Sequence, residues 1–131
     1  MEKVPLKTLK LDFTVLEFFE AYVISSLIDD FVLDQKYVNE LTTHCLDFYG
    51  ATRFVYISNR KANYNVHPTI YLNLNKAEFL AGIAVVSENP RSINMANFER
   101  QFSKIPYEVF LEMEEAVEWA LEMANNKKAD L

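Results

Sequence analysis

Leu80–Val86 reads LAGIAVV, seven residues without a polar side chain, preceded by Glu78-Phe79 and followed by Ser87-Glu88-Asn89. Nothing in the run alternates, so a strand here has no wet face and must be covered above and below. It is far short of the ~20 residues that cross a bilayer. A strand covered on both faces calls for a sheet layered with helices, and the flanking sequence supplies strand and helix patterns in turn.

Upstream, Lys7–Thr14 alternates, with Leu9, Leu11 and Phe13 on one side and Lys10, Asp12 and Thr14 on the other. This predicts a half-buried strand continuing through Val15–Phe18. A turn near Phe19-Glu20-Ala21 then reverses the chain into a second strand, Tyr22–Ile28. Asp34 stands at an N-cap position ahead of Val38, Leu41, Cys45, Phe48 and Tyr49, which share one helix face, and Gly50 suits the end of that helix. Phe54–Ile57 reads as a short strand covered on both sides. Pro68 opens a helix with Ile70, Tyr71, Leu74 and Ala77 on its apolar side. Asn89-Pro90 or Ser92 opens another, in which Met95, Phe98 and Phe102 repeat at helical spacing and Pro106 is the stop. A strand, Tyr107–Leu111, leads to a last helix. Its core face is Met113, Ala116, Val117, Ala120, Leu121 and Ala124, with Trp119 beside it and Glu114, Glu118 and Glu122 in solvent. The tail from Asn125 should fray.

Strand, strand, helix and three strand–helix repeats imply one α/β domain over residues 1–131: a mixed, mainly parallel sheet of about five strands, an N-terminal antiparallel hairpin and about four helices. Half of the 131 residues are apolar and 24% are charged, enough for a compact core. Two glycines exclude glycine-rich phosphate loops. A net charge of −6 argues against nucleic acid despite Arg53, Arg60 and Lys61 lying close together. One cysteine allows no internal disulfide. The amino terminus has no apolar signal core, so the expectation is a cytoplasmic protein that is not integral to a membrane.

Several motifs, in order, carry a resemblance. Tyr56-Ile57-Ser58-Asn59-Arg60 is followed by Tyr64, Val66, Pro68 and Tyr71. Farther on come Phe98-Glu99, Phe102, Pro106-Tyr107-Glu108-Val109-Phe110, Glu115-Ala116 and Trp119. With this spacing the chain resembles the small stand-alone bacterial SpoIIAA-like (STAS-like) proteins, relatives of anti-sigma factor antagonists, over nearly its whole length. The resemblance implies a STAS-like sandwich and a non-enzymatic, regulatory role. In the antagonists a Ser or Thr opening a helix after a central strand is phosphorylated by a partner kinase, typically within an Asp-Ser-Ser-Gly run. That run is absent here, and Thr69 is the nearest equivalent position. The likeness of STAS-like domains to lipid-binding modules keeps a hydrophobic ligand in view.

In an open parallel sheet, ligands bind beyond the carboxyl ends of the strands. Ser58-Asn59-Arg60 and Ser87-Glu88-Asn89 are such ends and become neighbours if their strands pair. Arg60 is then the anchor for an anion or a partner, or the partner of Glu88; Ser58, Asn59 and Ser87 are its polar flank. Tyr64 and Tyr71 form an aromatic wall, and His67 and Thr69 lie at the helix start. The expected function is to bind a protein partner or small anionic ligand at this crevice. The alternative is a carrier or sensor of an apolar ligand or lipid, to which ten Phe and seven Tyr lend weight. Less favoured are a switch at Thr69 and a hydrolase-like site with His67 as base for Ser58 or Thr69. His44 and Cys45, adjacent on a helix, point about 100° apart and form no nucleophile–base pair. No catalytic residue, metal site or cofactor is called for. Exposed Phe18, Phe19 or Phe31 beside a sheet edge would suit a homodimer.

Overall fold

The computed structural model describes residues 4–27, 31–60, 64–66, 68–74 and 76–125. In chain order it contains β1 (Lys7–Lys10), β2 (Thr14–Phe18), β3 (Tyr22–Leu27), β4 (Phe31–Leu33), α1 (Gln35–Tyr49), β5 (Phe54–Asn59) and β6 (Tyr64–Val66). A 3-10 turn (Pro68–Ile70) then leads into α2 (Tyr71–Leu74), β7 (Leu80–Val86), α3 (Pro90–Arg100), β8 (Tyr107–Phe110) and α4 (Met113–Asn125).

The main sheet has six strands in the order β1-β2-β3-β5-β7-β8. Its first two pairings are antiparallel and the other three parallel. β4 and β6 form a separate two-stranded parallel ladder. The continuous apolar run is β7, between β5 and β8, and every residue from Ala81 to Val86 is buried. Alternate side chains enter two cores. Ile83 and Val85 face α1, α2 and α3 with Leu41, Cys45, Tyr71 and Ala96. Ala84 and Val86 face α4 with Ala116 and Ala120. The sheet is thus the middle of three layers.

Local chemistry explains most element ends. Asp34 caps α1, its carboxylate accepting from the backbone N–H of Lys36 and Tyr37. Gly50 closes the helix at φ 59°, a left-handed value suited to glycine. Asn89 caps α3 with Pro90 in the first turn. The β2–β3 turn lacks the residues of a tight hairpin and is held from outside. The Tyr49 hydroxyl, at the end of α1, lies 2.8 Å from the Phe19 carbonyl oxygen and 2.6 Å from that of Tyr22.

Four sequence expectations are corrected. The strand drawn through residues 7–18 is two, because the chain turns where the Leu11 N–H donates to the Thr14 carbonyl. The helix opened by Pro68 is only a 3-10 turn and one α turn, so no developed helix N-terminus is present to attract an anion. Phe18 and Phe19 are buried: Phe18 stacks on Phe48 and Phe19 on Tyr22, with ring centroids 4.7 and 4.6 Å apart. They offer nothing to a dimer, and the Phe31 side chain and the tail beyond residue 125 lie outside the described residues. Finally, α3 ends at Arg100, ahead of Pro106, and its stripe is inverted. Ser92, Ala96 and Glu99 are buried, whereas Phe98 and Phe102 are 48% and 41% exposed.

Trp119 shows how closely α4 seats on the sheet. A Cβ placed on Gly82 of β7 would lie 2.8 Å from Cη2 of the indole, which also packs against Phe110. Gly82→Ala should therefore lower stability by about 1–3 kcal/mol through overpacking, read as a lower urea midpoint at unchanged slope.

Candidate functional site

The pleat at the end of β5 divides the sequence-predicted site. Successive residues of a strand point to opposite faces, so Ser58 and Arg60 turn toward α2 and α3 while Asn59 turns toward the other side. β5 runs in register with β7, Asn59 opposite Val86, and the Arg60 N–H donates to the Val86 carbonyl. The two strand ends do become neighbours.

Arg60 is buried, and its guanidinium makes a fork-on-fork contact with Glu99 of α3, at 2.8 Å from Nη1 to Oε2 and 2.7 Å from Nη2 to Oε1. Glu99 thus takes the place for which the sequence offered Glu88 as one alternative. The Tyr71 hydroxyl donates to Glu99 Oε1 at 2.8 Å and that of Tyr107 at 3.2 Å. Arg60 Nε donates to Ser58 Oγ at 3.3 Å. The carboxylate, 1% exposed, thus accepts four hydrogen bonds from three residues. Burial, then the neighbouring Tyr107 and Glu99, push the Tyr71 phenol far above its usual range, keeping it a neutral donor.

Beside this cluster lies a cavity of about 340 Å³ between the sheet and α1 and α2. Leu33, Val38, Leu41, Phe54, Tyr56 and Ile83 wall it, and Ser58, Arg60, Tyr71 and Glu99 close its polar end. Leu46 and Glu78 are its exposed lining residues among those described and mark the side that meets solvent. Cys45 also lines it, and burial pushes that thiol up to about 12, so it is no nucleophile at neutral pH.

The crevice beyond the strand ends is a different space. Asn59, Arg60 and Ser87 border it as expected, but so do Glu17, Glu88, Glu112 and Glu114. Four carboxylates disfavour an anion, and among the described residues the only cation on this border is held by Glu99. Its polar groups also serve the fold: Asn59 Nδ2 donates to Ser26 Oγ, and Ser87 Oγ accepts from the Asn89 N–H.

Thr69 is exposed within the 3-10 turn. The Tyr64 backbone lies in β6, its side chain and all of His67 falling outside the described residues. Among the described residues no group of three or more His, Cys, Asp or Glu could hold a metal ion, and no helix is long and apolar enough to cross a membrane. Sequence reasoning missed Glu99 and Tyr107 as site residues. The available signal was a carboxylate at the third position of a small-residue stripe, Ser92–Ala96–Glu99.

No protein-family model matches the chain, and no curated protein matches it. Among solved structures it is similar to an uncharacterised DUF3478-family protein with a SpoIIAA-like fold from Shewanella loihica PV-4. The TM-score is 0.56 at 12% identity, over 82% of this chain and 91% of that one. The chain is thus an α/β protein of SpoIIAA-like fold, as its motifs implied.

Two predictions follow from the buried groups. Glu99→Ala leaves Arg60 charged and unpaired in the interior and should cost about 3–5 kcal/mol in denaturant unfolding, whereas Arg60→Met with Glu99→Leu should recover only part of it, since the Tyr71 and Tyr107 hydroxyls still lose their acceptor. Burial raises the Cys45 thiol and the phenols of Tyr22, Tyr49 and Tyr71 in the folded state. The unfolded chain then loses these protons first, so stability should fall as pH rises from about 9 toward 12. Cys45→Val should flatten that decline in urea titrations.

Proposed function

We propose that the chain is a non-enzymatic binding module that holds an apolar small molecule in the cavity between the main sheet and α1 and α2. One observation carries the reading: about 340 Å³ of space walled by apolar side chains, with polar groups gathered at one end. Interiors close-pack and leave few voids larger than a water, whereas small-molecule sites are concave, mostly apolar and furnished with a few convergent polar groups, from roughly 300 Å³ upward. The binding of a small anion at the strand-end crevice has less support, because Glu99 neutralises Arg60 and carboxylates border the space.

The test is extraction of the purified protein followed by mass spectrometry. Wild type should release an apolar or amphipathic compound in near-stoichiometric amount. Cys45→Phe, which fills the cavity, and Leu46→Trp, which narrows its solvent side, should release little, with the melting temperature of Cys45→Phe unchanged or raised. Equal recovery from all three proteins would sink the cavity as the site.

A further inference from the structure

The inference concerns the head group of the cavity's ligand and rests on the proposed reading of the cavity. We infer that the ligand is an apolar chain or ring with an uncharged hydrogen-bonding head, such as an alcohol, ester or ketone, and that carboxylate-headed lipids are rejected. Among the described residues, the polar end of the cavity contains one cation and one anion, Arg60 and Glu99, 6% and 1% exposed and joined at 2.7–2.8 Å. Their charges cancel. A ligand carboxylate brought there would lose its hydration, meet the Glu99 charge, and find the Arg60 guanidinium already forked onto that residue. Exchange of one carboxylate for the other would strand Glu99 in the interior, where Tyr71 and Tyr107 also depend on it.

A protonated amine fares no better. The Glu99 carboxylate already accepts four hydrogen bonds, three of them on Oε1, and the amine would sit against the Arg60 guanidinium, whose like charge disfavours it. A neutral oxygen adds no charge and need not break the Arg60–Glu99 pair, and it would meet a polar wall of which the guanidinium and the Ser58 hydroxyl are part. Size limits the rest of the molecule. A cavity of about 150 Å³ holds a benzene, so one of about 340 Å³ takes on the order of thirteen non-hydrogen atoms. That corresponds to a medium-chain or small cyclic compound, with longer chains projecting past Leu46 and Glu78.

The experiment is calorimetric titration of delipidated wild-type protein at pH 8 with decanol, methyl decanoate and decanoate, which share a chain and differ in head charge. The two neutral compounds should bind about tenfold or more tightly than decanoate. In Glu99→Gln, which removes the anion and keeps the shape, decanoate should gain on them severalfold. Should that variant not fold, the wild-type comparison still decides. Decanoate binding as well as or better than the neutral pair overturns the head-group inference and leaves the cavity reading intact. Absence of binding by all three overturns both.

Discussion

Glu99 can be buried only because three other elements converge on its carboxylate. Arg60 reaches it from the end of β5, Tyr71 from α2 and Tyr107 from β8, while Glu99 itself projects from α3. Two charges taken out of water are costly unless geometry and hydrogen bonding are nearly complete. The cluster therefore adds less to net stability than to the uniqueness of the arrangement: a shift of any of the four elements leaves a charge or hydroxyl without its partner. It fixes the roll of α3 about its axis, which is why Ala96 and Ser92 meet the sheet and the aromatic residues of that helix do not. It also explains how a polar group comes to border an otherwise apolar cavity.

The fold was legible wherever one local rule acted alone. An unalternating run such as LAGIAVV admits few environments, Asp34 and Asn89 cap because their side chains compete for backbone N–H groups, and the alanines of α4 can face only inward against Gly82 and its neighbours. It was illegible where tertiary partners override the local pattern. The alternation from Leu9 to Phe18 passes through a turn without Gly or Pro, since the reversal is secured by main-chain bonding rather than by turn residues. In α3 the hydrophobic stripe pointed to Met95, Phe98 and Phe102. A salt bridge to a residue thirty-nine positions away turned the opposite face inward.

The site was half legible for the same reason. Ser58, Arg60 and Tyr71 could be singled out because polar residues gather at strand ends, and the pairing of β5 with β7 brings Asn59 and Ser87 together as anticipated. The pleat then sends neighbours in sequence to different spaces, and no spacing rule names a partner supplied by a remote helix. The cavity is less legible still. It is a property of how far α1 and α2 stand from the sheet, which depends on side chains from six or more segments and is written in none of them.

The outward rings of α3 have a colloidal consequence. Phe98 and Phe102 lie edge to face, with centroids 5.3 Å apart, near the edge of β8, which among the described residues is the last strand of the sheet. Tyr107 and Val109 belong to the core on the α3 side and Phe110 to the core beneath α4, so Glu108 faces the α4 side. Arg100, between the two rings in sequence, reaches around the strand to hold Glu108 at 2.7 Å. An exposed pair of this kind does little for folding free energy, but it lays charge across a backbone edge that could otherwise template another strand. Its significance is for the molecule in a crowd: salt that screens this pair weakens a guard against self-association while leaving the folded chain itself almost untouched.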